Sequence, residues 1–320
     1  MPEITWNLSV WGSPRSWTSG VDKFVELVSD GTDGKFNIKL NYGGVLAPGP
    51  EGLDGIRAGS FEAAVILPSF HPGKTPLSNV LRLPFLDFKS LEVMGHVTME
   101  LHHENPALVQ ELKFWDARVV LPIANPPMNF MGNKPIATMD DFVGLRIGTY
   151  GTYLDVAKKL GATPVDLPIA ELYEGLDRNI ADVCFLTPSS LISYGIVKTS
   201  KYMSDYPISG NPSLLVVSQS LWEDLPAEYK KVLEDAWQPA YDYSLETHNA
   251  SYGEALKQIE AEGIEIVHIS PEVGQQIVEL GGAPVWKEWA EKQALDGHDG
   301  QSVVDAMVKK MDEVNKRFGY

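Results

Sequence analysis

Leu53-Asp54-Gly55-Ile56-Arg57-Ala58-Gly59-Ser60-Phe61-Glu62-Ala63-Ala64 is echoed, without a gap, by Tyr173-Glu174-Gly175-Leu176-Asp177-Arg178-Asn179-Ile180-Ala181-Asp182-Val183-Cys184. Each copy reads as a short helix that stops at a residue tolerant of left-handed backbone, Gly59 or Asn179. The chain then passes an acid and enters a small apolar strand, Ala63–Ile66 or Val183–Leu186. A local pattern used twice predicts two α/β lobes built alike. Such lobes leave a cleft between them, and the strand ends facing it are where these sheets hold ligands.

Outward from the first copy, the spacing predicts strand Ile4–Val10, a helix through Val21, Phe24, Val25 and Val28, and strand Phe36–Leu40, the opening of a β-α-β unit. Helices are expected over Leu91–His103 and Pro106–Trp115, then strand Arg118–Leu121. Pro122-Ile123-Ala124-Asn125-Pro126-Pro127 carries three prolines in six residues, which suit neither a helix nor a central strand, so a crossover between lobes is expected there. Strands Asn129–Gly132 and Leu145–Ile147 and helix Tyr153–Leu160 lead to the second copy. Around Pro207–Pro212 the chain is expected to cross back, with Leu214–Ser218 a strand of the first lobe.

The longest helical pattern follows Pro226, with Tyr229, Leu233, Ala236, Ala240, Leu245, His248, Tyr252 and Ile259 on one largely apolar face. It would be about 50 Å long and exceed one lobe, with Pro239 expected to bend it. A last amphipathic helix runs through Val304, Met307, Met311 and Val314. The predicted fold class is therefore α/β: two lobes with central mixed sheets, hinge crossovers and a long lobe-spanning helix. Residues 1–123 plus 210–250 are assigned to lobe 1 and 124–209 plus 251–320 to lobe 2, the C-terminal helices packing across them.

The 320 residues are 44% hydrophobic and 22% charged, ordinary for a globular protein of two domains. A net charge of −17 opposes binding to nucleic acid or anionic membrane and points to small molecules or basic protein surfaces as partners. No apolar run reaches the ~20 residues of a membrane-spanning helix, and the chain enters a strand-like alternation at once, without a leader's hydrophobic region. Cytosolic residence, or export with the leader already removed, is implied. The lone Cys184 allows neither an internal disulfide nor a cysteine zinc site, and reads as a buried strand thiol.

Several pieces in order resemble a known family: Phe24-Val25-Glu26-Leu27-Val28, Gly43-Gly44, Leu83-Pro84-Phe85, Asp141-Phe142-Val143-Gly144-Leu145-Arg146-Ile147, Leu160-Gly161-Ala162-Thr163-Pro164-Val165, and Tyr173-Glu174-Gly175-Leu176 ahead of Ala181-Asp182. Together they are similar to the DctP-type substrate-binding proteins of tripartite ATP-independent periplasmic (TRAP) transporters. The resemblance implies a periplasmic, monomeric, two-lobed protein that closes on one ligand and delivers it to a membrane permease, with no cofactor, metal or catalysis.

Departures from the family bear on the ligand. The resemblance places a carboxylate-pairing arginine two positions beyond Arg146, where this chain has Gly148; some members carry another where this chain has Met128, and many a polar amide near Phe185-Leu186-Thr187. Arg146 is the nearest cation that could take over, although it is expected on the face away from Gly148, turned to solvent. Otherwise the cleft is expected to offer aromatic surface at strand ends: Trp11 after the first strand, Phe70 and His71 after the first repeat, Tyr150 and Tyr153 after the Gly148 strand, and Phe185 with Thr187 after the second. Such rings could stack on an aromatic acid or cage an alkylated ammonium. Trp17, Trp115, Trp222, Trp237, Trp286 and Trp289 are assigned to packing.

Enzyme motifs are few. No Gly-x-Ser-x-Gly, Gly-x-Gly-x-x-Gly or phosphate-loop pattern occurs. His102-His103-Glu104 is read as a solvated helix surface, its side chains pointing apart. The rival reading is a small-molecule enzyme using Asp166 or Glu171 with His71.

Overall fold

The structure, a computed structural model, describes residues 2–125, 127–150, 153–206, 208 and 212–320. Both copies of the repeat take the conformation that the stop residues require: Gly59 and Asn179 have φ of 69° and 54°, and each ends its helix. The strands that follow, β3 (Ala63–Ile66) and β8 (Val183–Leu186), are buried along their whole length.

They are central strands of two separate sheets. The first has the order β2-β1-β3-β10-β4, built from β1 (Ile4–Ser9), β2 (Phe36–Asn41), β3, β4 (Ala117–Ile123) and the late strand β10 (Ser213–Ser218), which runs antiparallel between β3 and β4. The second has the order β11-β9-β5-β8-β6-β7, from β5 (Asn129–Gly132), β6 (Arg146–Thr149), β7 (Thr163–Asp166), β8, β9 (Tyr202–Ser204) and β11 (Glu265–Val267). Successive residues of a strand face opposite sides, so a strand covered on both sides reads as a continuous apolar run. Ala63 and Val65 enter one core with Trp6, Phe24 and Tyr229, while Ala64 and Ile66 enter another with Leu53 and Ile56. In the second lobe Val183 and Phe185 join Phe130 and Phe142, and Cys184 and Leu186 join Leu172 and Leu176. Burial pushes the Cys184 thiol up to about 12, so it is protonated and inert.

The crossovers differ from the sequence reading in one respect. Pro122 lies inside β4 and is buried; a proline is tolerated there because β4 is the edge of its sheet, bonded only to β10. Pro126 lies outside the described residues, as does most of the predicted return crossover around Pro207–Pro212. The two crossing segments are tied where they are described: Met128 and Ile208 exchange backbone hydrogen bonds of 3.0 and 2.8 Å.

A 35-residue helix, Ala227–Ala261, is the third link between the lobes and continues through Pro239. Tyr229, Leu233, Ala240 and Tyr241 pack into the core of the first sheet, where the Tyr241 hydroxyl donates to the Leu91 carbonyl; Ile259 packs into the core of the second. The C-terminal helix Gly300–Arg317 lies on helix Leu91–Glu104, with Val304, Met307 and Met311 against Val97 and Leu101. Among the described residues no helix is long and apolar enough to cross a membrane.

Candidate functional site

A cavity of about 480 Å³ opens between the two lobes. The first lobe contributes Arg15, Trp17 and Arg82, the second Tyr150, Tyr153, Thr187 and Ser190, the crossovers Asn125 and Met128, and the long helix His248. Its walls follow from local chain chemistry. Trp17 sits on a short 3-10 turn that starts when the Arg15 backbone N–H donates to Thr18 Oγ1 at 3.1 Å. Thr187 caps helix Pro188–Ser193: its hydroxyl accepts from the Ser190 backbone N–H (3.3 Å) and donates to Ser190 Oγ (2.8 Å). The cap holds two hydroxyls at the cleft wall, just beyond the end of β8.

Arg82 ends a 3-10 turn, Ser78–Arg82, inside the first lobe's apolar layer. It is half-buried, and its Nε is covered yet has no hydrogen-bond partner. Among the described residues no carboxylate stands within ion-pair distance of it. Its positive charge reaches both cleft tyrosines, opposing the upward push that burial gives the phenols of Tyr150 and Tyr153, the latter to about 12. Both are neutral hydroxyls at physiological pH. Arg15, at the rim, donates from Nε to the Ser13 carbonyl (3.2 Å) and lies 5.5 Å from the Trp17 ring centre. Among the described residues the charged groups lining the cleft are these two arginines, with no aspartate or glutamate.

The residues singled out from the sequence divide into three groups. Met128, Tyr150 and Thr187 border the cleft, as does Tyr153. Trp11 and Phe185 stand one layer behind it: Trp11 packs on Trp17 and on Phe70, ring centres 5.0 Å apart in each case, and Phe185 packs under Tyr153 at 4.9 Å. His71 is fully buried, and burial, reinforced by Lys74, lowers its pKa to about 4, so it is a neutral ring beside the aromatic cluster.

Arg146 and Gly148 lie outside the cleft lining. Two residues apart on β6, they share a face rather than opposing each other, and that face is turned to the helix of the second repeat. Arg146 donates from its backbone N–H and Nε to Asp182 Oδ2 (2.9 and 3.1 Å), from Nη2 to Oδ1 (2.7 Å), and from Nη1 to the Asn179 carbonyl (2.5 Å). Asp182 is buried, with Lys134 3.3 Å away, and the Arg146 guanidinium holds its carboxyl down at about 2. The pair is a brace within the second repeat. A Cβ on Gly148 would meet Leu172 and Ala181 at 3.1 Å and Leu167 at 3.2 Å. The space through which an arginine would leave this strand is filled by leucine.

Other expectations are corrected by burial. His102 is not solvated: Nδ1 lies 2.8 Å from the Thr98 carbonyl, Nε2 3.3 Å from Ser78 Oγ, and burial lowers its pKa to about 4. His103 turns elsewhere, its Nε2 2.8 Å from the Val119 carbonyl. Asp166 and Glu171 are exposed and do not border the cleft. Trp17, assigned to packing, is a cleft wall, and Arg82 and His248 were not singled out at all. A signal existed for both. Arg82 is the one Lys or Arg between Lys74 and Lys89, in an apolar run with no acid at helical spacing, and His248 interrupts the apolar face of the long helix.

Residues 9–293 match the family described as bacterial extracellular solute-binding protein, family 7, named DctP. The chain belongs to that family, and with it to the solute-binding proteins of TRAP transporters. A monocarboxylate 2-oxoacid-binding periplasmic protein of Nostoc is 26% identical, the match covering 99% of this chain and 85% of that one. A TRAP periplasmic solute-binding protein of Desulfovibrio salexigens, solved as an open complex with the C-terminus of a symmetry mate in its ligand-binding site, superposes with a TM-score of 0.85 at 23% identity, covering 99% of this chain and 97% of that chain. A TRAP solute-binding protein of Rhodoferax ferrireducens in complex with copurified benzoate gives 0.78 at 18% identity, covering 99% and 100%. Members of the family are periplasmic transport proteins that bind small ligands and work with membrane permease subunits.

Proposed function

We propose that the cleft captures a small organic acid whose carboxylate is held by Arg82, and that closure of the two lobes around it produces the form that docks on the permease. The observation that carries this reading is the unpaired guanidinium: among the described residues, a chain of net charge −17 keeps two arginines and no acid at its cleft. A half-buried cation without a counter-ion is costly, and a ligand carboxylate can meet it with two parallel hydrogen bonds. Trp17, Tyr150 and Tyr153 supply flat apolar walls, and Thr187, Ser190 and Asn125 supply hydrogen bonds, a division suited to a planar acid with a polar substituent. The relatives' ligands, a 2-oxoacid and benzoate, have that chemistry. An alkylated ammonium would face two guanidinium groups and no carboxylate, which disfavours the aromatic-cage alternative.

Closure follows from differential contact: a ligand touching Arg82 on one lobe and Thr187 on the other binds better when both are near, and so shifts the population to the closed form. The moving bodies are those built on the two sheets, the C-terminal helix Gly300–Arg317 travelling with the first. The protein works as a monomer. A thermal-shift screen of pyruvate, benzoate and galacturonate against glycine betaine and neutral sugars tests the ligand class. At 100 times its Kd a ligand adds about 2.7 kcal/mol, which raises Tm by several degrees. At least one acid is expected to do so and betaine is not; a shift with betaine alone would reverse the assignment.

A further inference from the structure

His248 lies at the middle of the long helix, after the stretch that packs on the first lobe and before Ile259, which packs into the second. Its ring is 7% exposed, and neither nitrogen has a hydrogen-bond partner. Burial lowers its pKa, so at neutral pH it carries one N–H donor and one acceptor nitrogen. Buried polar groups in folded proteins are nearly always paired, so two orphaned nitrogens on one ring require a partner from elsewhere. The ring borders two spaces: the ligand cleft, and a cavity of about 350 Å³ on the hinge side, where Phe88, Met94, Asp205 and Tyr252 stand.

Resting on the organic-acid reading, we infer that His248 is a specificity-determining residue of the cleft: when the lobes close, its imidazole hydrogen-bonds a hydroxyl or carbonyl substituent of the ligand, at the end away from the carboxylate on Arg82. The cleft supports the division. Arg82 comes from the first lobe and Thr187 from the second, so a contact on the helix joining them adds a third point that reads ligand chemistry rather than charge. The inferred ligand is a carboxylate with one further hydrogen-bonding group, and its third contact falls on an element shared by both lobes.

Two ligand pairs differing in one polar group test the assignment by calorimetry: benzoate with 3-hydroxybenzoate, and butyrate with 2-oxobutyrate. Wild type is expected to prefer the substituted member at least tenfold in one pair. His248→Phe, which keeps a flat ring, is expected to reduce that preference below threefold, and His248→Gln to restore part of it. Should His248→Phe fold poorly, ¹⁵N spectra of the wild-type imidazole give the same answer: the ring nitrogens shift with the substituted ligand and stay put with its plain partner. Preference retained in His248→Phe, ring resonances indifferent to the substituent, or acids bound without preference in either pair would overturn the role of His248. No binding of any of the four by wild type would instead overturn the organic-acid reading, and this inference with it.

Discussion

Arg82→Met is expected to weaken binding of the ligand carboxylate by about 30-fold or more. Removing one partner of a hydrogen-bonded charge pair in a closed site costs about 2–5 kcal/mol, part of it the penalty of leaving the other charge desolvated. Arg82→Lys keeps the charge and loses the planar fork, so an intermediate loss near tenfold is expected. Arg146→Ala is the contrast. It strips Asp182 of its main partner and leaves Lys134, so it lowers the melting temperature while affinity stays within threefold. Trp11→Ala, which removes the support behind Trp17, falls between Arg82→Met and Arg146→Ala in its effect on binding. Calorimetry on the four variants ranks them, and an Arg82→Met protein with wild-type affinity would remove the proposed anchor.

Gly148→Arg, which restores the residue the family resemblance expects, is expected to fail as a repair. Its Cβ alone would press on Leu172, Ala181 and Leu167, and the guanidinium would have to displace the two leucines or lie buried among them. Overpacking costs ~1–3 kcal/mol and an unpaired buried charge several more, so a loss of at least about 3 kcal/mol is expected. Chemical denaturation reads the loss directly, and calorimetry should show no gain for any carboxylate. A stable Gly148→Arg protein with raised affinity would show that the arginine's path is open and that the missing residue was the natural anchor.

The two predictions mark where the sequence was legible. Strands β3 and β8 could be read to the residue because each follows a left-handed stop and is a continuous apolar run, buried on both faces. Strands β7, β9 and β11 carry three or four residues each at or near the sheet edge, where partial exposure leaves no apolar run to find. Helices Pro271–Gly281 and Ala283–Leu295 each carry a proline in the first turn, Pro271 and Pro284, where no amide donor is needed.

The cleft was half visible for a related reason. Met128, Tyr150 and Thr187 lie just beyond or before strands, where α/β folds place ligand contacts, so position alone indicated them. Trp17 and Arg82 stand on 3-10 turns too short to show their period, and His248 stands mid-helix with the stripe that packs the core. The error at Arg146 was one of strand parity: residues two apart share a face, and that face was occupied by Asp182 and the repeat's own helix.

Small-angle scattering on one preparation, with and without a carboxylate shown by calorimetry to bind, tests capture between the lobes most directly. The radius of gyration should fall with saturating ligand in the wild type, and stay at its unliganded value in Arg82→Met at the same ligand concentration. An unchanged radius in wild type despite measured binding would contradict the account, because the solute would then be held without the two lobes meeting around it.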